Sequence, residues 1–135
     1  MPTSDTVYDR TLNTVDGNTI TGASLASGSV TLPAGSYRFR GRVPGLDIIH
    51  RALLWNVTDN VLQKAGSSVY NTNGTAQSYV PCDSFVSGFF TITSSKSFKL
   101  KQYVKSATNA NGAGLGVGQP AYNEIYSELE FEKYL

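Results

Sequence analysis

The chain has 135 residues, 16% of them charged, and a formal net charge of +1 at pH 7. That length suits one domain, and a charge so near zero excludes a general nucleic-acid binder, which carries a basic excess. One cysteine, Cys82, excludes an internal disulfide and a cysteine-rich metal centre.

Met1 to about Arg10 is polar, holds Pro2 and is poor in core residues. It reads as an N-terminal arm, loose in isolation and ordered on binding, with Thr3, Asp5, Val7 and Tyr8 as attachment residues. The start has neither a basic region nor an apolar stretch, so it does not read as a secretory signal. No apolar run nears the ~20 residues of a membrane helix. A protein made in a cytoplasm, without membrane insertion, is the expectation.

Residues 11–135 form the domain proper. Turn signals recur at intervals of about ten residues, as all-β sandwiches and barrels require. They include Asp16-Gly17-Asn18, Pro33-Ala34-Gly35, Pro44-Gly45, Thr58-Asp59-Asn60 and Gly118-Gln119-Pro120. Thirteen glycines, eight tyrosines and six phenylalanines fit the same class.

Gly35 to Val43 alternates, with Tyr37, Phe39 and Val43 on one face and Arg38, Arg40 and Arg42 on the other. It predicts a strand with one buried face. Arg51 to Val57 is apolar on both faces: Ala52 and Leu54 on one, Leu53, Trp55 and Val57 on the other. Phe85 to Ile92 is similar. Strands apolar on both sides are covered twice, by the core and by a partner. Ser97 to Lys105 sets Phe98, Leu100 and Val104 against Lys99, Lys101, Tyr103 and Lys105. Asn123 to Tyr134 sets Ile125, Leu129 and Phe131 against Glu124, Tyr126, Glu128, Glu130 and Glu132. Glu and Leu also suit a helix there, but the long period-2 alternation favours a strand.

Residues with catalytic potential are sparse. His50 is the only histidine, with Asp47 three residues before it, and lacks further ligands or a nucleophile nearby. The glycines at 112, 114, 116 and 118 match no phosphate-binding spacing and read as a glycine-rich loop. Cys82 has no basic neighbour to activate its thiol. Asn56-Val57-Thr58 and Asn73-Gly74-Thr75 match the glycosylation pattern by chance, given no secretion signal. The sequence therefore predicts no enzyme, no cofactor and no metal.

Charge is organised in stripes: basic at Arg38, Arg40 and Arg42, basic again at Lys99, Lys101 and Lys105, acidic at Glu128, Glu130 and Glu132. Either the stripes are solvated strand faces that block edge pairing, or they meet their opposites within the domain or across subunits.

Three stretches carry a resemblance: Leu32-Pro33-Ala34-Gly35-Ser36-Tyr37, the run from His50 to Asp59, and Tyr126-Ser127-Glu128-Leu129-Glu130-Phe131. From Thr11 to Leu135 the chain resembles the tumour-necrosis-factor-like, complement-globular-head-like jelly roll of tailed-phage structural proteins. The resemblance implies a single-domain sandwich of about ten antiparallel strands, assembled as a homotrimer. It implies a virion structural protein without catalytic residues: a capsid decoration, cement or head-fibre protein on the capsid surface. Its partners would be itself, the major capsid protein or another virion protein, and a host surface glycan. The alternative is the receptor-binding tip of a tail fibre, and a more distant one a secreted ligand. The acidic final strand departs from the family, where an apolar or basic one is common. On this reading the trimer contact comprises Leu54, Trp55, Lys99, Lys101, Tyr103, Lys105, Tyr126, Glu128, Glu130 and Glu132. The lysine and glutamate stripes are expected in one sheet, meeting at the threefold axis.

Overall fold

The computed structural model describes residues 5–45, 48–70, 82–107 and 126–134. They form nine strands: β1 Thr6–Asp9, β2 Ser24–Ala26, β3 Ser29–Leu32, β4 Gly35–Val43, β5 Ile48–Asn56, β6 Val61–Tyr70, β7 Ser84–Ile92, β8 Lys96–Ala107 and β9 Glu128–Tyr134. Every pairing is antiparallel. The domain is an all-β sandwich of two unequal sheets. Six strands form one, in the order β2-β3-β8-β5-β6 with β1 beside β8; β7-β4-β9 form the other.

The pairings nest. β5 pairs with β6, β4 with β7 and β3 with β8, as in one long hairpin folded over. A further β5–β8 pairing closes the larger sheet.

Alternation decides which side of each strand is buried. Tyr37, Phe39 and Val43 of β4 face Leu54, Phe98 and Leu100 across the sandwich, and all six are essentially inaccessible. Phe90 stacks at a tilt on Phe98, with ring centroids 4.9 Å apart, and meets Phe131 edge-on at 6.3 Å. Gly41 lies between the sheets because a Cβ there would sit 3.0 Å from Val86 Cγ1 and 3.1 Å from Leu100 Cδ1. The β5–β6 turn is tied by Asn56, whose side chain exchanges hydrogen bonds with the backbone N–H and carboxylate of Asp59. Lys96 holds the same carboxylate at 2.7 Å and joins the turn to β8.

The segments read as strands at 35–43, 51–57, 85–92 and 97–105 all fall within β4, β5, β7 and β8, apart from Val57, which is in the turn. The last segment is a strand, not a helix, from Glu128 onward; residues 123–125 and the glycine-rich tract lie outside the described residues. Residues 6–9 correct the arm reading, since they pair along β8 as β1. β6 shows no clean alternation, its pairing with β5 slipping twice and Gly66 interrupting it.

Leu54 is 0% exposed and central to the core. Leu54→Ala is expected to cost about 2–5 kcal/mol of unfolding free energy, measured by urea denaturation, whereas exposed Val61→Ala should stay within about 0.5 kcal/mol.

Candidate interaction surfaces and a buried polar clasp

The outer face of the six-stranded sheet combines apolar side chains with compensated charge. Cross-strand register places Trp55 beside Lys99 and Leu62, Leu53 beside Lys101, and Arg51 beside Tyr103. The Lys101 ammonium lies 5.1 Å from the centroid of the Trp55 ring, a cation–π contact. Leu62 is 47% exposed and Val7 47%. Arg51 reaches over to the carbonyl of Gly66 through Nε and Nη2, at 3.1 and 2.9 Å.

The lysine stripe is neutralised within the chain. Asp9 binds Lys99 at 2.7 Å and Lys101 at 3.2 Å. Asp5 accepts from Lys105 and from the Tyr103 hydroxyl, both at 2.9 Å. Hydrogen bonds from Lys105 and Tyr103 hold the Asp5 carboxyl below its ordinary range, and the one from Lys99 does the same for Asp9. Asp5, Val7 and Asp9 are thus counterparts of Lys105, Tyr103 and Lys101. The signal was visible as matching period-2 patterns, D-x-V-x-D and K-x-Y-x-K.

The smaller sheet presents three parallel rows outward. Each arginine of β4 lies between a residue of β7 and a glutamate of β9: Arg42 with Phe85 and Glu128, Arg40 with Ser87 and Glu130, Arg38 with Phe89 and Glu132. Arg42 bonds Asp83 at 3.0 Å and Glu128 at 3.1 Å. Arg40 and Glu130 approach to 3.7 Å with both side chains 70% exposed, so that pair contributes little to stability. The Arg38 guanidinium sits 5.8 Å from the Phe89 ring centroid, and Phe89 in turn lies 6.0 Å from Tyr134.

The expected interface residues therefore divide. Leu54 points into the core and has no surface to offer. Trp55, Lys99, Lys101, Tyr103 and Lys105 share the outer face of the larger sheet. Glu128, Glu130 and Glu132 lie on β9 in the other sheet, with exposed Tyr126 just before it. The expectation of both stripes in one sheet is corrected: the arginines of β4, which pairs directly with β9, face the glutamates. Thr3 lies outside the described residues. Asp5, Val7 and Tyr8 belong to or adjoin β1 and are held against β8.

His50 is buried, at 1% exposure, and both ring nitrogens are engaged. The Gln102 amide nitrogen can only donate. It bonds His50 Nδ1 at 2.9 Å and the Pro44 carbonyl at 3.0 Å. Nε2 therefore carries the proton and donates to the Cys82 carbonyl at 3.0 Å. This clasp joins the end of β4, the start of β5, the middle of β8 and the approach to β7. Gly45 is required beside it, because a Cβ there would fall 2.2 Å from Nε2. Burial pushes the imidazole pKa down, opposed by the bond to Cys82. The ring has no free nitrogen for a substrate. It touches the carbonyl of Cys82, not its thiol.

A cavity of about 1060 Å³ lies between residues 9–32 and residues 126–131. Its wall includes Asp9, Arg10, Asp16, Glu128 and Glu130, and Arg10 Nε donates to Ser127 Oγ at 3.0 Å across it. Among the described residues no three His, Cys, Asp or Glu side chains converge as a metal site. Neither a family model nor a curated protein matches the chain.

His50 sets a pH dependence. An unfolded histidine titrates near 6.5 and the buried one lower, so below 6.5 the unfolded state takes up more protons. The clasp's contribution is complete above pH 6.5 and declines as pH falls toward the depressed value. The thermal midpoint should drop between pH 7.5 and 5.5, and in a His50→Gln variant, itself less stable, that drop should vanish.

For β1 the carboxylates govern. The pKa values of Asp5 and Asp9 lie below the ordinary 3.8, so their contribution is present above it and lost as pH falls further. Hydrogen-exchange protection of residues 6–9 is expected to fall below pH 4 while that of β5 persists. Asp9→Asn should loosen β1 in the same way at neutral pH.

Proposed function

We propose that the chain is a non-enzymatic structural protein of a tailed-phage particle: a homotrimeric capsid decoration, cement or head-fibre subunit. The observation that carries the reading is the outer face of the six-stranded sheet. Trp55 and Leu62 are cross-strand neighbours there, exposed Val7 lies two rows away beside Tyr103, and Asp5 and Asp9 neutralise the lysines between them. A face with its charges already paired can meet another surface without burying bare ammonium groups. The nested pairing of β3 with β8, β4 with β7 and β5 with β6 supports the jelly-roll reading, and the three sequence stretches support the tumour-necrosis-factor-like variety. The further partners on this reading are the major capsid protein or another virion protein, with assembly in the host cytoplasm.

The receptor-binding tip of a tail fibre is the second reading. The cluster of Arg38, Phe89 and Tyr134 favours it, since a ring beside a guanidinium offers a stacking surface and hydrogen-bond donors to a host glycan.

Light scattering at low micromolar concentration should give three times the mass of one chain. Trp55→Glu and Leu62→Glu should each abolish the trimer while far-ultraviolet circular dichroism is retained. A monomeric wild-type protein would overturn the trimer. Purified particles of the source phage should carry the chain; its absence from them would overturn the virion assignment.

A further inference from the structure

β7 is an edge of the smaller sheet among the described residues, and it is an unusual edge. Long edge strands normally carry charges, prolines or bulges that prevent another chain from adding to them. β9, the opposite edge, follows that rule with Glu128, Glu130, Glu132 and Lys133. β6, the long edge of the larger sheet, carries Lys64 and two register shifts. β7 runs nine residues, Ser84 to Ile92, without a charge or a proline.

The open hydrogen-bonding groups can be assigned. The Phe85 N–H points away from β4, donating to Ser67 Oγ at 3.0 Å. By the two-residue period of a strand, the N–H and C=O groups of Ser87, Phe89 and Thr91 point the same way. β6 closes the edge at Phe85, where a Cβ on Gly66 would meet the Phe85 carbonyl at 2.4 Å. Farther along, Lys64 passes on the inner side, its Cδ 3.9 Å from a Cβ placed on Gly88. Among the described residues no strand covers Ser87, Phe89 and Thr91, which are centred on Phe89. Phe89 is itself 72% exposed on the outer face.

We propose that β7 pairs antiparallel with β7 of a second copy of this chain, with Phe89 on the twofold axis. Phe89 then exchanges both backbone hydrogen bonds with its equivalent, and Ser87 pairs with Thr91 of the other copy. The two three-stranded sheets become one continuous sheet of six. The phenylalanine rings meet across the axis, and no charged side chain of either β7 opposes another. Because β7 carries no charge, a second β7 meets it without the like-charge repulsion that β9 would meet against its own copy, and its open groups match those of an antiparallel copy. Two phenylalanines and a short ladder bury well under the roughly 1,000 Å² of a stable interface. The contact is therefore weak between single domains and gains strength between multimers. It is distinct from the outer face of the larger sheet assigned to the trimer.

Cysteine cross-linking in a Cys82→Ser background tests it. Trp55→Glu is added so that the trimer contact plays no part. Backbone positions directly opposed in this kind of pair lie about 5.5 Å apart, within reach of a disulfide. Under mild oxidation Phe89→Cys should give a covalent dimer. Ser87→Cys and Thr91→Cys should cross-link efficiently only when mixed. Glu132→Cys, on the opposite edge, reports random collision. Equal cross-linking at Glu132→Cys, or none at Phe89→Cys, would overturn the proposal. Sedimentation gives a cysteine-free check. Self-association of the Trp55→Glu protein at high concentration should disappear on adding Phe89→Lys, with the thermal midpoint unchanged; persistence would count equally against it.

Discussion

β8 is the strand on which this domain depends. It hydrogen-bonds to β5 along one side and to both β3 and β1 along the other. Its inward residues Phe98, Leu100 and Val104 are all at most 1% exposed. The fourth inward residue, Gln102, is polar and equally buried. An amide in that position costs stability unless its bonds are made, and His50 and Pro44 make them. The twelve residues of β8 thus serve the hydrophobic layer and the polar clasp, and they carry the outward lysines.

The outward side of β8 shows how local charge is managed in a sheet. Three lysines in one row repel one another, and Asp5 and Asp9 bring opposite charge to the same face through β1. On the other sheet the arginines of β4 do the same for the glutamates of β9. Each stripe finds its counter-charge in the neighbouring strand of its own chain. The buried faces set the register, and the charge pairs inside the domain agree with it. Left outside these charge pairs are the apolar surface around Trp55, the exposed Phe89 and, among the described residues, the open backbone along β7.

The imbalance between six strands and three shapes that remainder. β4 is paired on both sides, so β7 and β9 are both edges. One is guarded by charge and the other is not. Among the described residues, the unguarded edge has no strand hydrogen-bonded beside it.

The sequence by itself determined the class, the faces and five of the strands. Alternation is a local property, and it survives folding in β4, β8 and β9 because one side of each strand must be dry. In β5 and β7 the pattern is apolar on both faces, and it could not say which apolar face is core. Ala52 and Leu54 went inward and Trp55 outward, a choice made by what lies across the sandwich. Partnership between stripes was also beyond reach. Lys99 to Lys105 and Glu128 to Glu132 look complementary along the chain, but pairing follows sheet neighbours, and β8 and β9 are in different sheets. The same holds for Asp5 and Asp9, some 90 to 100 residues from their lysines, and for His50, whose partners Cys82 and Gln102 lie 32 and 52 residues away. Composition and period fix which side of a strand is wet; only tertiary structure fixes which strand lies beside it, because that is decided by long-range packing rather than by local sequence.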